Sequence, residues 1–200
     1  MKSFPKLFRN FVTKQTSKFC GTNRQLSRIN QSVRNVYPSC GRDDESSKHI
    51  TRYNEPGRRQ MLEYTVDEMA TWMSSTKVDQ HLQSMITSYL LAQNTKTMLE
   101  CLRGHLSTLR ALAEVHDRLG WDNFVEGRIS TLFLEAVRPA LEGRRSQLMP
   151  KRWCHTLMNR LLQLTHKQWL FWNSHVNHKK LEGMTEAQHE EIFNKVKCMM

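Results

Sequence analysis

The sequence is poor both in residues that break helices and in those that build sheets. Five prolines and eight glycines are spread over 200 residues, too few for a loop-rich or collagen-like chain. Valine and isoleucine are sparse and no Val/Ile/Thr-rich alternating run appears, while Leu, Met, Gln, Glu and Arg are plentiful. That balance points to helices throughout. No stretch approaches the roughly 18 consecutive apolar residues of a membrane span, so no membrane partner is expected. The five cysteines (Cys20, Cys40, Cys101, Cys154, Cys198) form no Cys-x-x-Cys pair, and their number is odd. Without an apolar leader, free thiols in a reducing, intracellular compartment are expected, nucleus or cytoplasm first. No Gly-rich phosphate loop, Gly-x-Ser-x-Gly elbow or His-Glu-x-x-His pair occurs, which removes the usual sequence grounds for an enzyme.

Charge is plentiful but unevenly placed. The net charge is +11. Residues 1–42 hold nine Lys/Arg and no acid, residues 43–137 hold ten basic against fourteen acidic, and residues 138–180 hold nine basic against the single acid Glu142. The chain therefore has a basic start and one basic segment, rather than a uniformly basic surface.

Residues 1–60 read as a disordered basic tail and linker, and residues 61–200 as a helical domain. In the tail, Phe4, Leu7, Phe8, Phe11 and Val12 recur at helical spacing with Lys6, Arg9 and Lys14 between them. An amphipathic, acid-poor start of this kind also fits an organelle transit peptide, which would place the protein in the mitochondrion. Pro56–Gly57 reads as a turn in the linker. Thr65-Val-Asp-Glu68 fits a capping box opening a helix to about Met73, and Thr76-Lys-Val-Asp79 offers a second start. Between Val78 and Leu119 the periodicity predicts two long helices with a break near Asn94–Thr95. Gly120 ends the second. A further helix runs from Trp121 to Val137, where Arg138-Pro139 should kink or close it. Pro150 suits the first turn of the longest amphipathic element, about Lys151 to Asn177. A short helix follows Thr185. The expected fold is all-α: an irregular bundle of five or six helices.

Few side chains argue for catalysis or metal binding. His155, His166, His175, His178 and His189 cluster late in the chain with Cys154 and Cys198. Only His175-x2-His178 is closely spaced and no cysteine pair accompanies it, so neither a zinc site nor any cofactor is expected. The acids are scattered singly, apart from Asp43-Asp44-Glu45 in linker-like sequence.

The stretch from Arg138 to Lys180 interleaves aromatic and basic residues, as a nucleic-acid-binding surface does. Projected at about 100° per residue, its two signals separate. Trp153, Leu157, Met158, Leu161, Leu162, Leu164, Trp169, Phe171, Trp172 and Val176 share one half of the helix. Arg152, His155, Asn159, Arg160, Gln163, His166, Lys167 and Asn173 share the other, with Leu170 as an intruder. The tryptophans are thus expected in the core, and the cations remain for a ligand. Arg144, Arg145, Lys151, Arg152, Arg160 and Lys167 are the candidate contacts to RNA or DNA backbone. The competing expectation is a protein-interaction or self-assembly module that uses the wide apolar half-face.

Gly120-Trp121-x-x-Phe124-x-x-Gly127-Arg128-Ile129-Ser130, then Gly143-Arg144-Arg145-Ser146, Lys151-Arg152-Trp153 and Trp169-x-x-x-Asn173 resemble a recurring pattern. It is similar to the helical segment of uncharacterised retroelement-derived, reverse-transcriptase-associated proteins, over about residues 118–180. That pattern ends in Trp-x-x-Arg-Asn and carries two more tryptophans. Here Trp172 stands in place of the Arg, and Leu162 and His166 in place of the tryptophans. No Tyr-x-Asp-Asp and no strand pattern for a polymerase core is present. The resemblance implies an origin and a context, not an activity.

Overall fold

The computed structural model describes residues 5–17, 22–29, 47–52, 55–104, 107–141 and 149–181, the last nine of these by backbone alone. These residues are all-α, with no strand among them. The last helix expected from sequence, after Thr185, lies outside them, as do Arg144 and Arg145.

Among the described residues ten helices follow in order: α1 (Lys6–Thr16), α2 (Asn23–Arg28), α3 (Ser47–Arg52), α4 (Pro56–Ser75), α5 (Gln80–Leu91), α6 (Met98–Cys101), α7 (Ser107–Leu119), α8 (Trp121–Val125), α9 (Leu132–Leu141) and α10 (Met149–Leu181). Within residues 61–200, α4, α5, α7, α9 and α10 reach ten residues or more, while α6 and α8 are single turns.

Helix α4 starts well before the Thr65 capping box expected from sequence. Glu55 is the N-cap: its carboxylate accepts from the Gly57 and Arg58 amides at 3.2 and 3.0 Å. Pro56 takes the first helical position, where its missing amide costs nothing. Pro56–Gly57 is therefore a helix start rather than a turn. Thr65 lies inside the helix, its hydroxyl donating to the Met61 carbonyl. Asp79 caps α5 by accepting from His81 and Leu82, as a short acceptor at this position does. The chain then reverses through Gln93 and Asn94, both at positive φ, where the break was expected.

Two longer helices expected from periodicity are split. The second half of the 78–119 region divides into α6 and α7 at Gly104. Asp117 of α7 reaches back to accept from the Met98 and Leu99 amides at 2.6 and 3.1 Å, tying the halves together. Likewise 121–137 divides into α8 and α9. Between them Gly127 has φ +79°, and a Cβ there would lie 3.2 Å from the Met158 carbonyl oxygen of α10. Only glycine fits both the dihedral and the close approach. Pro139 falls in the last turn of α9, which closes at Leu141.

Helix α10 is the axis of the structure, touching α1, α3, α4, α8 and α9. Leu157, Leu161 and Leu164 join Phe133, Val137, Trp121, Phe124, Met69 and Met73 in one main core. Burying each such side chain contributes about 1.5–3 kcal/mol before conformational entropy is counted. Within the stretch expected to be tail, α1 lies against α10, with Phe8, Phe11 and Val12 buried on Leu162 and Trp169 in a smaller separate cluster. Among the described residues no helix is long and apolar enough to cross a membrane.

Candidate nucleic-acid interface

Most of the described apolar half of α10 packs inside the chain. Trp153 and Trp172 are buried, and Trp169 is half-covered, packing on Phe11 with ring centroids 5.8 Å apart. The tryptophans are core, as the helical projection requires. Within the described residues, α1, α3, α4, α8 and α9 pack against α10, and Leu157, Leu161 and Leu164 of the half-face expected to serve assembly are buried. Large exposed apolar side chains among the described residues are scattered: Ile29, Tyr64, Leu119 and Leu170.

The basic half of α10 divides into two groups. Arg160 and Lys167 are engaged by α4. The Lys167 ammonium meets the Glu68 carboxylate at 2.7 Å and lies 5.5 Å from the Tyr64 ring centre. That hydrogen bond holds the Glu68 carboxyl below its ordinary pKa. The Arg160 guanidinium sits 4.9 Å from the centre of the Trp72 ring, while Trp153 stacks on the same ring at 5.2 Å and 22°. Trp153 and Arg160 are seven residues apart, about 10.5 Å of helix rise. The Trp72 ring therefore sits between them along the helix. Cation–π contact and stacking are each favourable by about 0.5–1.5 kcal/mol in such settings.

Lys151 and Arg152 form the second group. Both are exposed, and no described carboxylate pairs with either. They sit in the first turn of α10, which contains no acid. Cations there add to the positive end of the helix dipole instead of offsetting it, which costs about 0.3–1 kcal/mol each unless an anion is present. A cleft opens on either side of this turn. Toward α9, Lys151, Cys154, His155 and Met158 face Ile129, Ser130, Thr131 and Leu134 around about 290 Å³. Toward α4, Arg152, Trp153, Met149 and Thr156 face Trp72, Ser75, Thr76 and Leu141 around about 170 Å³. Arg144 and Arg145 belong to the connection between Leu141 and Met149, outside the described residues.

Burial pushes the Cys154 thiol up to about 11 and raises that of Cys101, so neither is a ready nucleophile. His116 is fully buried between Phe124 and Phe133, and burial lowers its pKa to about 4. Its neutral Nε2 accepts the Ser130 amide at 3.1 Å, which is a structural task. No group of three or more metal-ligating side chains gathers among the described residues. The side chains of His175 and His178, and all of His189 and Cys198, fall outside them.

Among the residues that carry the retroelement resemblance, the described glycines and aromatics have architectural positions. Gly120 takes positive φ before α8. Trp121 is buried, its indole donating to the Tyr89 carbonyl at 3.2 Å. Phe124 is in the core, Gly127 lies against α10, and Trp153 donates to the Thr76 hydroxyl at 3.0 Å. Packing accounts for these positions without a ligand. Comparison with protein-family models, curated proteins and solved structures gives no match.

Proposed function

We propose that the chain is a non-enzymatic helical module of retroelement origin that contacts nucleic-acid backbone through the start of α10. One observation carries the contact: Lys151 and Arg152 stand exposed and unpaired by any described acid at the positive end of the longest helix. An arrangement that raises its own electrostatic energy favours binding an anion, and a phosphate backbone supplies anions at regular spacing. Arg144 and Arg145, a few residues earlier in sequence, extend the same charge. Arg160 and Lys167 belong to the lock with α4 and are assigned a secondary role. The origin rests on the residue pattern of 118–180 and not on any matched relative.

The test is affinity for RNA and DNA across salt concentrations. Each phosphate neutralised contributes about 0.9 to the slope of log affinity against log salt on duplex DNA, and about 0.7 on single strands. Lys151→Gln with Arg152→Gln should flatten the slope by about 1.4 to 1.8. An unchanged slope, or no binding at low salt, refutes the reading.

A further inference from the structure

We propose that α1 is a reversible anchor for an anionic lipid surface: it leaves α10, lays Phe8, Phe11 and Val12 into the headgroup boundary and sets Lys6, Arg9 and Lys14 against the lipid phosphates. The proposal goes beyond the nucleic-acid reading and does not depend on it. A helix lying in the plane of the interface needs no spanning segment. The two faces of α1 supply both halves of such a contact. Phe8, Phe11 and Val12 form the buried face. Lys6, Arg9, Asn10, Thr13 and Lys14 form the exposed one. Residues 1–42 contain no acid, and no described carboxylate pairs with the three cations.

The described contacts that hold α1 in place make no use of these cations. Its apolar residues pack on Leu162 and Trp169 in a cluster apart from the main core, with His166 between Phe8 and Phe11. Gln15 donates to the Glu126 carboxylate at 3.2 Å. Beneath the helix the buried His166 Nε2 and Trp169 Nε1 lack a hydrogen-bond partner among the described residues. Water reaches both once α1 lifts, which offsets part of the cost of release. Lifted into water alone, the helix would expose two phenylalanines and a valine, so it leaves only for another apolar phase. A lipid interface is an apolar phase rimmed by phosphates, and aromatic residues opposite lysine and arginine are the pattern that partitions there. A negative surface also draws each cation, by about fivefold in affinity. A nucleic-acid backbone uses the cations alone: it meets them on the outer face and leaves Phe8 and Phe11 docked.

The experiment sediments the full-length protein with two kinds of vesicle, phosphatidylcholine alone and phosphatidylcholine with one-third phosphatidylglycerol. The anionic vesicles should bind at least about tenfold more tightly than the neutral ones. Lys6→Gln with Arg9→Gln and Lys14→Gln, all at exposed positions that leave the packing intact, should remove most of that preference, about tenfold to a hundredfold. Phe8→Ser with Phe11→Ser should abolish vesicle binding although it frees α1 from α10, because the inserting face is gone. Lys151→Gln with Arg152→Gln should change it far less than the α1 triple variant. Equal or absent binding to the two vesicles overturns the proposal. So does full binding by the Phe8→Ser, Phe11→Ser variant, which would mean that charge alone makes the contact. An α10 pair as damaging as the α1 triple overturns α1 as the anchor. Loss of RNA affinity in the α1 triple, with vesicles left unbound by the wild type, assigns these cations to nucleic acid instead.

Discussion

Helix α10 is held along two seams of opposite character. Against α4 nearly every polar group is matched. Trp153 donates to Thr76, Lys167 meets Glu68, Trp72 sits between Trp153 and Arg160, and the Gln168 amide both accepts from the Arg58 guanidinium and donates to the Arg58 carbonyl at 3.3 Å. Against α1 the contact is three apolar residues on Leu162 and Trp169, with His166 between Phe8 and Phe11 at 5.3 and 4.8 Å. There the buried His166 Nε2 and Trp169 Nε1 find no hydrogen-bond partner among the described residues. A buried polar atom without a partner costs about 1–3 kcal/mol. The α4 seam thus fixes a geometry, while the α1 seam only covers surface and is the cheaper of the two to open.

The sharpest way to break that contrast is a pair of truncations. Leu157→Ala, in the main core at 0 % exposure, should lower unfolding free energy by about 2–5 kcal/mol in urea titration. Phe11→Ala removes a larger side chain, yet its cost to global unfolding is capped by the docking energy of α1. Its signature should be faster proteolysis and amide exchange within residues 6–16, with the main transition nearly unmoved. If Phe11→Ala shifts the main transition as far as Leu157→Ala, the two seams are one cooperative unit and the comparison fails.

Acid should act on both regions with the same sign and different reach. His116 in the core and His166 under α1 both have pKa values lowered by burial. In each case the unfolded or undocked state takes a proton that the packed state refuses. Stability is therefore complete above pH 6.5 and falls as pH drops toward the packed-state value. For His116, at about 4, the loss between pH 6.5 and 4 amounts to about 3 kcal/mol of global stability. For His166 the loss should appear only as undocking of α1. His116→Gln should flatten the dependence of the urea midpoint on pH across this window. A wild-type slope in that variant would refute the assignment.

How far this was legible in sequence depends on whether the deciding partner is near in the chain. The extent of α10, the end of α7 at Gly120 and the core placement of Trp153 and Trp172 follow from periodicity and local breakers. The start of α4 is hidden in the sequence because Glu55-Pro-Gly57 has turn composition, and only the Glu55 side chain folding onto its own helix shows otherwise. The splits at Gly104 and Gly127 were invisible to a helical wheel, because apolar spacing continues across both. A wheel did hold a clue to the candidate site. Arg160 and Lys167 project at about 340° and 320° when Trp153 is at zero, so they border the buried face and are not central to the polar one. Their partners Glu68 and Trp72 lie on α4, far away in sequence, and no local signal couples them. The amphipathic spacing of α1 was readable, but the surface that would receive it was not.

Glycine substitutions sharpen the α8–α9 side of the same axis. Gly120 and Gly127 have similar positive φ, +83° and +79°, but a Cβ at Gly120 meets nothing within 4 Å while one at Gly127 meets α10. Gly120→Ala should lose about 1–3 kcal/mol, since φ 83° with ψ 156° is a conformation kept almost entirely by glycine. Gly127→Ala should lose about 1–2 kcal/mol for its positive φ and more for the Cβ contacts with the Met158 carbonyl and Leu162, both read by chemical denaturation. On the α4 side, Trp153→Phe and Thr76→Val should each cost about 1 kcal/mol from the shared hydrogen bond, in addition to packing changes. The double variant should cost less than the sum, because both remove the same bond. Strict additivity would mean that the bond is not part of the seam.

The smallest expected effect is the one that separates fold from function. Lys167 and Glu68 are both partly exposed, at 39 % and 43 % of the side chain, and an ion pair so placed contributes under about 1 kcal/mol. Lys167→Gln should therefore barely move stability. It should also barely move nucleic-acid affinity, because its charge is already neutralised within the molecule and a phosphate gains little by displacing Glu68. Arg152→Gln, the same loss of one charge on the same helix, should weaken binding several-fold and flatten the salt dependence. Glu68→Gln adds the converse arm: freeing Lys167 from its carboxylate should raise affinity and steepen the slope by up to about one phosphate contact. If Lys167→Gln and Arg152→Gln weaken binding alike, the basic face of α10 acts as one surface and the division of its cations is wrong. The α4 seam would then be as open to ligand as the start of the helix.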